Sequence, residues 1–498
     1  MQLSSLIASN DLFFPAADAR DATITGLALD SRKVEKGDLF IAVPGTKQDG
    51  RGFIQDALTK GAAALLVTAD TVLPPQPVPV IQCRDIRLAT SYLAAAFYGK
   101  QPKTIAAVTG TSGKTSTAQF VREIWQQLGQ ASASIGTLGL VTAAGTDYGA
   151  LTTPDAITLH ELLHNCAQKH IDHVVLEASS HGLELHRLDH VHVQAGGFTN
   201  LSRDHLDYHQ TMEAYFAAKS LLFTRIIADG GAAILNSDSN YYEPLRAHAA
   251  ARKLRLISFG TKSQSDLRLI DVKPYAAGQH LLLEALGKRY DLTLPVIGSF
   301  QAWNALCALG LVLGAEPSVQ TDQAIAALTK LSGVPGRLQL AGQTAKGGTV
   351  FIDYAHKPDA LENVLRVLRP HLSAHPGAKL GVVFGCGGNR DQGKRPLMGG
   401  IAARLADWVI ITDDNPRHEN PDLIRAAILT GAHSEPEAQA TITEIGDRGA
   451  AIEAGIRQCN AHDVLVIAGK GHEPGQIVGD SVLPFDDLAV ARQFLSNA

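Results

Sequence analysis

Residues 104–121 read TIAAVTGTSGKTSTAQFV, and this stretch decides the fold class. An apolar β-type run leads into a glycine-rich turn at residues 110–115, and a helical pattern follows the turn. Glycines let backbone amides converge on phosphate oxygens, and a helix N-terminus adds a favourable dipole. In such a loop Lys114 reaches the outer phosphates, and the Thr115 hydroxyl ligates Mg²⁺. The spacing G-x-x-G-K-T is shorter than usual, yet the order strand, turn, helix favours a phosphate-binding loop over a chance glycine turn.

Short apolar runs, bounded by polar or glycine residues, recur along most of the chain. Such runs are typical of strands in a parallel sheet that is covered on both faces. Helical patterns between them indicate βαβ crossovers, so the sequence predicts an α/β protein with a mostly parallel sheet. The predicted strands are residues 104–108, 173–177, 231–235, 379–384, 407–411 and 463–467, and the predicted helices include 115–128, 156–169 and 358–369.

Length and composition limit the domain count and the possible partners. A chain of 498 residues is typical of about three domains. Glycine and proline mark junctions near residues 99–104 and 332–339, which predicts domains at 1–100, 101–333 and 334–498. The formal net charge of −5 favours neither nucleic acid nor an anionic membrane as a partner.

Cysteine usage and the N-terminus indicate the compartment. The five cysteines are far apart and form no CxxC pair, which argues against a disulfide framework or a zinc site. The N-terminus has no basic segment and carries Asp11 early, unlike a signal peptide. The longest apolar stretch, residues 305–315, is too short to span a membrane. We therefore expect a cytoplasmic protein.

Two polar segments follow predicted strands and suggest a metal site. Glu177 ends the strand at 173–177, where α/β proteins place ligands, so it is well placed to hold Mg²⁺; a solvated strand end is the alternative. His205 lies in the segment 198–223, and because histidine usually suits softer metals, a ligand and a polar loop residue both stay open. Lys219 lies in an apolar helical run of the same segment, where a lysine that reaches solvent is the ordinary interpretation.

Ten motifs extend this pattern over nearly the whole chain. They are LDSRKVEKGDLFIAVPG (29–45), TGTSGKT (109–115), EASSHGL (177–183), NLSRDHLDYH (200–209) with the downstream AAK, SFQAWNALCAL (299–309), GVPGRLQ (333–339), FIDYAHKPDAL (351–361), FGCGGNRDQGKRPLMG (384–399), TDDNPR (412–417) and AGKGHE (468–473). In this order they resemble the Mur ligases, the ATP-dependent amide-forming ligases of peptidoglycan precursor synthesis.

The resemblance implies three α/β domains: an N-terminal UDP-binding domain, a central phosphate-loop domain with a mostly parallel sheet, and a C-terminal Rossmann-like domain. It implies an ATP-dependent acid–amino-acid ligase that adds meso-2,6-diaminopimelate to UDP-N-acetylmuramoyl-L-alanyl-D-glutamate through an acyl phosphate. Two Mg²⁺ ions are expected, and in this family the lysine that matches Lys219 is carbamylated, which overrides its ordinary interpretation. A monomer without nucleic acid or membrane insertion is expected.

The resemblance also assigns roles to individual residues. Nucleotide binding is expected from Gly110, Thr111, Ser112, Gly113, Lys114, Thr115, Ser116, Asn304, Arg337, Asp353 and His356. Binding of the UDP-muramoyl dipeptide is expected from Ser31, Thr46, Lys47, Gln48, Thr152, Thr153, Ser179 and Arg187. The expected Mg²⁺ ligands are Thr115, Glu177, His205 and carbamylated Lys219, and the residues expected to act in catalysis are Lys114, Glu177, His205 and Lys219.

The amino-acid substrate has a physical argument of its own. Diaminopimelate carries a second amino-carboxyl centre, and a planar guanidinium that pairs with the extra carboxylate would select it over lysine. The expected contacts are Arg390, Asp414, Asn415, Pro416, Arg417, Gly469 and Glu473. A lysine-adding sister ligase is the nearest alternative, and Arg417 argues against it. A folylpolyglutamate synthase-like ligase would lack segment 29–45, and an inactive nucleotide-binding regulator would be expected to lose Lys114, Glu177 or Lys219.

Overall fold

The structure is a computed structural model that describes residues 1–8, 11–14, 21–45, 49–149, 151–202, 204–275, 277–373 and 375–496, without the side chains of residues 206 and 207. The chain divides into two units. The first comprises Met1–Gly260 with Leu306–Ala324, and the second comprises Thr261–Ala305 with Ile325–Ala498. The predicted domain boundaries at residues 100 and 333 stay predictions.

The N-terminal part of the first unit is built on a parallel sheet. Its strands pair in the order β1-β2-β3-β4, all parallel. Leu39, Leu66 and Leu93 are buried in its core. The elements are α1 (Leu3–Ile7), β1 (Gly26–Ala28), β2 (Asp38–Ile41), α2 (Ile54–Thr59), β3 (Ala64–Thr68), β4 (Val80–Cys83) and α3 (Ile86–Tyr98).

The rest of the first unit surrounds a larger sheet that contains the phosphate loop. The elements are β5 (Thr104–Thr109), α4 (Lys114–Gln127), β6 (Ser132–Gly136), β7 (Gly139–Thr142), β8 (Gly145–Asp147), α5 (Ala156–Gln168), β9 (His173–Glu177), α6 (Ser180–Glu184), β10 (Val193–Phe198), α7 (Leu206–His209), α8 (Met212–Leu221), β11 (Ile227–Asn236), α9 (Tyr242–Ala251) and β12 (Arg255–Gly260). Parallel strands run in the order β12-β11-β10-β5-β9-β6, and β7 and β8 continue the sheet antiparallel.

The apolar runs of the sequence explain this sheet. Every residue of β9 is buried, and β5 is buried from its second residue onward, as expected for strands that helices cover on both faces. The predicted strands and helices in this region are confirmed, although β11 extends further in both directions than the predicted strand 231–235. Strand β5 lies between β9 and β10, so the chain segments after these three strands meet at one edge of the sheet.

The second unit contains an antiparallel meander and another mostly parallel sheet. Strands β13 (Leu267–Tyr275), β14 (Gly278–Ala285) and β15 (Lys288–Leu294) form the meander. Helices α10 (Phe300–Ala315) and α11 (Thr321–Leu328) follow it in the chain, and residues 306–324, which include most of α10 and the start of α11, belong to the first unit. The remaining elements are β16 (Gln339–Gln343), β17 (Thr349–Asp353), α12 (Pro358–Leu368), β18 (Leu380–Phe384), α13 (Lys394–Leu405), β19 (Trp408–Ile411), α14 (Pro421–His433), β20 (Thr441–Glu444), α15 (Arg448–Gln458), β21 (Val464–Ala468), β22 (Gly475–Val478), β23 (Ser481–Pro484) and α16 (Asp487–Ser496).

The second parallel sheet has the strand order β16-β17-β21-β18-β19-β20, in which β16 alone runs antiparallel. Strands β17, β18, β19 and β21 are buried throughout, as their apolar sequences predict. Their carboxyl ends lead into the segments 354–358, 385–394, 412–417 and 469–473, which carry most of the predicted amino-acid site. Within the described part of the chain, no helix is long and apolar enough to cross a membrane.

Candidate active site

The glycine-rich loop after β5 has the backbone geometry of a phosphate loop. Gly110 has φ +148°, and a Cβ there would lie 2.0 Å from Thr199 Oγ1, so only glycine fits. Gly113 adopts φ 86° and precedes the first residue of α4. Asn200 braces the turn, because its backbone oxygen accepts from Thr111 N at 2.9 Å and its Oδ1 accepts from Ser112 N at 3.0 Å. Asn200 thereby fixes the backbone of the loop directly before α4.

Two lysines donate to the same carbonyl oxygen of this loop. Lys114 Nζ lies 2.8 Å from Gly110 O and 2.9 Å from Thr111 O, and Lys219 Nζ lies 2.8 Å from Gly110 O. Lys219 is 1% exposed, so the interpretation of a lysine that reaches solvent is wrong. Burial, and then the charge of Lys114, lowers the pKa of Lys219 to about 6. Burial also lowers the pKa of Lys114.

Glu177 lies beside the loop because of strand register. It pairs with Val108 across β5 and β9, and its side chain is buried. Its carboxylate accepts from Thr115 Oγ1 at 3.0 Å, from Thr137 N at 2.9 Å and from Thr137 Oγ1 at 3.2 Å. Burial raises the pKa of Glu177, and these donors oppose that rise. Thr137 was missed by the sequence analysis, although it directly follows β6, which neighbours β9.

Glycine at position 136 makes room for the Glu177 carboxylate. A Cβ at Gly136 would lie 2.1 Å from Glu177 Oε1. The oxygens gathered here belong to a carboxylate and to the hydroxyls of Thr115 and Thr137, and such hard donors fit Mg²⁺. Thr115 and Glu177 are therefore brought together as predicted, in a donor set that suits a magnesium ion.

His205 is less closely tied to this centre. Its side chain is 50% exposed, and its Nε2 lies 3.6 Å from Asp204 Oδ2. Its ring centroid lies 5.3 Å from that of His181 and 6.1 Å from that of Tyr215. Among the described side chains, no three His, Cys, Asp or Glu residues group so that they could hold a metal ion. Ligation by His205 stays a prediction.

A hydrogen-bonded chain links three of the residues expected to bind the acceptor. Thr153 Oγ1 lies 2.7 Å from Glu177 O and 3.0 Å from Ser179 Oγ, and it accepts from Ser179 N. Arg187 Nη1 donates to Thr153 O at 2.7 Å. Thr152 Oγ1 lies 3.1 Å from Thr137 Oγ1, next to Glu177. The structure thus brings the predicted acceptor residues Thr152, Thr153, Ser179 and Arg187 next to the predicted metal carboxylate.

The other residues expected to bind the acceptor lie in the N-terminal part of the chain. Ser31 is buried and begins a short 3-10 helix whose preceding residue, Asp30, accepts from Arg32 N. Thr46, Lys47 and Gln48 lie outside the described residues. The contribution of these four residues to acceptor binding stays a prediction.

The second unit contains a pocket of about 870 Å³ at the carboxyl ends of its parallel strands. Six of the seven residues expected to contact diaminopimelate line it: Arg390, Asp414, Asn415, Arg417, Gly469 and Glu473. Pro416 is not among the residues that line it. Arg417 has φ 54°, and its Nη1 donates to Gly388 O at 2.9 Å, which directs the guanidinium along one wall.

A buried lysine that was not predicted from the sequence lies behind residues that line this pocket. Lys470 follows β21, is 0% exposed, and places Nζ 2.9 Å from Asn415 Oδ1 and 3.5 Å from Asp414 Oδ1. Asn415 Nδ2 in turn donates to Glu473 Oε2 at 3.1 Å. Lys470 belongs to the AGKGHE motif, but only Gly469 and Glu473 of that motif were predicted to bind the amino acid.

Four residues of the second unit are expected to contact the nucleotide. Asp353 accepts from Leu338 N at 2.7 Å and from Ala355 N at 2.8 Å, and burial raises its pKa to about 6. His356 Nδ1 lies 2.8 Å from Tyr354 O. Asn304 is buried and donates to Gln301 Oε1 at 2.8 Å, whereas Arg337 is exposed. Their roles toward ATP stay predictions.

Family models match three consecutive parts of the chain. They are described as the Mur ligase family, catalytic domain, at residues 23–98; the Mur ligase middle domain at residues 108–312; and the Mur ligase, glutamate ligase domain, at residues 336–471. The chain belongs to the Mur ligase family. The predicted family and α/β fold class are confirmed.

Individual relatives are similar over their whole length. The chain is 49% identical to the UDP-N-acetylmuramoyl-L-alanyl-D-glutamate–2,6-diaminopimelate ligase of Bradyrhizobium diazoefficiens, over 100% of this chain and 99% of the relative. It is also 49% identical to the ligase of that name from Caulobacter vibrioides, over 96% and 97% of the two chains. A solved structure of a ligase of that name superposes with a TM-score of 0.73 at 34% identity and covers 95% of both chains.

Proposed function

We propose that this chain is an ATP-dependent ligase that adds meso-2,6-diaminopimelate to UDP-N-acetylmuramoyl-L-alanyl-D-glutamate in peptidoglycan precursor synthesis. The pocket of the second unit is the observation that carries the substrate. It presents Arg390 and Arg417 together with Asp414 and Glu473, and it is large enough for an amino acid with two amino-carboxyl ends. A guanidinium pairs with a carboxylate through two parallel hydrogen bonds, and lysine offers no distal carboxylate to receive them.

The reaction proceeds in two steps. An oxygen of the acceptor's D-glutamate γ-carboxylate attacks the γ-phosphorus of ATP, the bond to the β-phosphate oxygen breaks, and an acyl phosphate and ADP form. The amine nitrogen of diaminopimelate then attacks the acyl carbon, phosphate leaves with its bonding electrons, and the nitrogen loses a proton to solvent. Lys114, whose Nζ lies in the phosphate loop, would reduce the repulsion between the anionic acceptor and the phosphates.

The first unit offers a metal site for this chemistry. Thr115 and Glu177 would hold Mg²⁺, which when bound neutralises phosphate charge and orients the reacting oxygens. We also propose His205 as a ligand of this Mg²⁺. We also propose a binding site for the UDP-muramoyl dipeptide, formed by Ser31, Thr46, Lys47, Gln48, Thr152, Thr153, Ser179 and Arg187. The nucleotide would have four further contacts, from Asn304, Arg337, Asp353 and His356.

We further propose that Lys219 is carbamylated and helps to hold a second Mg²⁺. Carbamate formation needs a neutral amine, whose nitrogen bonds to the carbon of CO₂ while a proton is released. Burial of Lys219 beside Lys114 supports this chemistry, because the pKa of Lys219 falls to about 6 and the neutral amine then predominates at neutral pH. The carbamate would keep one N–H on Nζ, which can still donate to Gly110 O, and would add a terminal carboxylate beyond that nitrogen.

Phosphate release tests the assigned reaction. The full chain is supplied with ATP, Mg²⁺ and UDP-N-acetylmuramoyl-L-alanyl-D-glutamate, and phosphate is measured with meso-diaminopimelate or with L-lysine. We expect release that depends on diaminopimelate and far less with lysine. No release with either amine would overturn the ligase assignment, and a preference for lysine would overturn the role of Arg417.

Replacement of Lys219 tests the carbamate. Lys219→Ala should abolish phosphate release, and a small carboxylate such as formate or acetate should restore part of it. Lys103→Ala is the matched control, because Lys103 is an exposed lysine of the same unit that pairs with Asp172. Activity in Lys219→Ala equal to that of the control variant would exclude a functional carbamate.

A further inference from the structure

Lys470 is a wholly buried cation that the proposed reaction does not use. It follows β21 between Gly469, with φ 119°, and Gly471, with φ 58°. A Cβ at Gly471 would lie 2.7 Å from Tyr354 Cβ, so this segment packs closely against the segment that follows β17. The turn leaves Gly469 and Glu473 on the wall of the 870 Å³ pocket and places the Lys470 side chain beneath it.

The ammonium of Lys470 lies near acceptor oxygens of three side chains. Its Nζ lies 2.9 Å from Asn415 Oδ1, 3.5 Å from Asp414 Oδ1 and 3.7 Å from Glu473 Oε2. Asp414 and Glu473 thus share one ammonium on the side of these residues that faces away from solvent.

The same lysine fixes the orientation of the Asn415 amide. Asn415 Oδ1 accepts from Lys470 Nζ and also from Ile477 N at 2.9 Å. A flipped amide would place its NH₂ against both of these donors, which cannot accept a hydrogen bond. The NH₂ group is therefore held on the side of Glu473, 3.1 Å from its Oε2. A donor for a carboxylate and an acceptor for an ammonium thus stand side by side on the pocket wall.

We propose that Lys470 is a positioning residue for the amino-acid substrate: by holding Asn415, Asp414 and Glu473, it shapes the subsite for one amino-carboxyl end of that substrate. This inference rests on the proposed function, since it concerns the amino-acid pocket. Lys470 does not line the pocket, so it acts through its three neighbours. Without it, Asn415 Oδ1 loses a charged donor, and Asp414 and Glu473 repel each other beneath the substrate.

Steady-state kinetics of four variants of the full chain test the proposal: Lys470→Met, Asn415→Ala, the double variant, and Lys346→Met. Lys346 is the matched control, because its Nζ also lies near an asparagine oxygen, Asn460 Oδ1 at 3.3 Å, but it is exposed and outside the pocket. We expect Lys470→Met to raise the KM for diaminopimelate about 10- to 100-fold, the range that loss of a buried charged hydrogen bond produces. The KM values for ATP and the UDP-acceptor should stay unchanged, and Lys346→Met should behave as wild type.

The double variant separates positioning from general damage. Because Lys470 acts partly through Asn415 and partly through Asp414 and Glu473, the double variant should lose less than the sum of the two single losses, whereas independent roles would give additive losses. Additive losses, or an unchanged KM for diaminopimelate in Lys470→Met, would overturn the proposal. Equal rises in all three KM values would also overturn it, because they would indicate only structural damage.

A second variant decides the matter if Lys470→Met does not fold, as judged by its unfolding transition. Asn415→Asp keeps the acceptors for Lys470 and Ile477 but loses the NH₂ group. Its KM for diaminopimelate should rise, and an unchanged value would overturn the proposal. The proposed function has a separate failure: it falls if wild type shows no diaminopimelate-dependent phosphate release. Release with equal KM in wild type and variants removes only the role of Lys470.

Discussion

Replacing Gly136 by alanine would place a methyl group against the Glu177 carboxylate. The built Cβ lies 2.1 Å from Glu177 Oε1, and ordinary van der Waals contact begins at 3.4 Å. The oxygen therefore has to move by the difference, 1.3 Å. The backbone cannot absorb this shift, because β6 and β9 pair directly in the middle of a buried sheet. The Glu177 side chain itself must leave its place.

The displacement should impair catalysis much more than folding. Moving the carboxylate by 1.3 Å breaks its hydrogen bonds from Thr115 Oγ1 and Thr137 N, which are 3.0 and 2.9 Å long. A misplacement of about 1 Å in a reacting constellation costs about 100-fold in rate, so we expect kcat to fall by at least about 100-fold. Overpacking typically costs about 1–3 kcal/mol, which a chain of this size survives.

Phosphate release with all substrates saturating, measured across a Mg²⁺ titration, checks this prediction. Gly136→Ala should show a lower plateau and should need more Mg²⁺ to reach it. Gly52→Ala is the control, because a Cβ at Gly52 meets no atom within 4 Å. Wild-type rates at every Mg²⁺ concentration in Gly136→Ala would refute the placement of Glu177 at the metal.

Three further predictions concern other parts of the chain. Arg448→Met should lower the free energy of unfolding in urea by about 3–5 kcal/mol. The reason is that Arg448 and Asp487 form an ion pair whose side chains are both 0% exposed, so the variant leaves the Asp487 carboxylate buried and unpaired. The control Arg246→Met removes an exposed ion pair and should leave the urea unfolding midpoint unchanged. Arg417→Lys should raise the KM for diaminopimelate about tenfold or more, since an ammonium cannot form the two parallel bonds of a guanidinium; Arg366→Lys on α12 should not. Burial lowers the pKa of His160 from 6.5 to about 4, so the folded state binds fewer protons than the unfolded state between these values. Stability is then lost as the pH falls from 6.5 through about 4; His160→Gln should reduce that loss in urea midpoints, and His164→Gln on the same helix should retain it.

The parts of the fold that could be predicted are those encoded locally. The glycine loop at 110–115 and the apolar strands around it carry their own signals, because a buried parallel strand is apolar along its whole length. Glu177 was found for the same reason, since it is the first charged residue after such a run. The meander of β13, β14 and β15 was not foreseen. Its strands mix exposed and buried residues, and their pairing joins segments whose contacts only the folded chain defines.

The parts of the site that escaped prediction depend on neighbours distant in sequence. Thr137 reaches Glu177 only because β6 pairs with β9, and nothing in the residues around position 137 marks it as functional. The helical pattern around Lys219 favoured a solvent-facing lysine, and only the family resemblance gave this residue a role; its burial depends on the contact of α8 with the phosphate loop. Lys470 belongs to the AGKGHE motif, yet its hydrogen-bond partner Asn415 lies 55 residues away in the sequence.

The Thr153 hydroxyl contacts both Glu177 O and Ser179 Oγ, while Arg187 holds the Thr153 carbonyl. In the proposed reaction, an acceptor that contacts Ser179 or Arg187 would shift the strand end from which Glu177 projects. Binding of the acceptor and binding of Mg²⁺ would then be thermodynamically linked. Such linkage is reciprocal: the factor by which the acceptor changes the affinity for Mg²⁺ equals the factor by which Mg²⁺ changes the affinity for the acceptor. Occupancy of one proposed site would thus change the affinity of the other before any bond is made or broken.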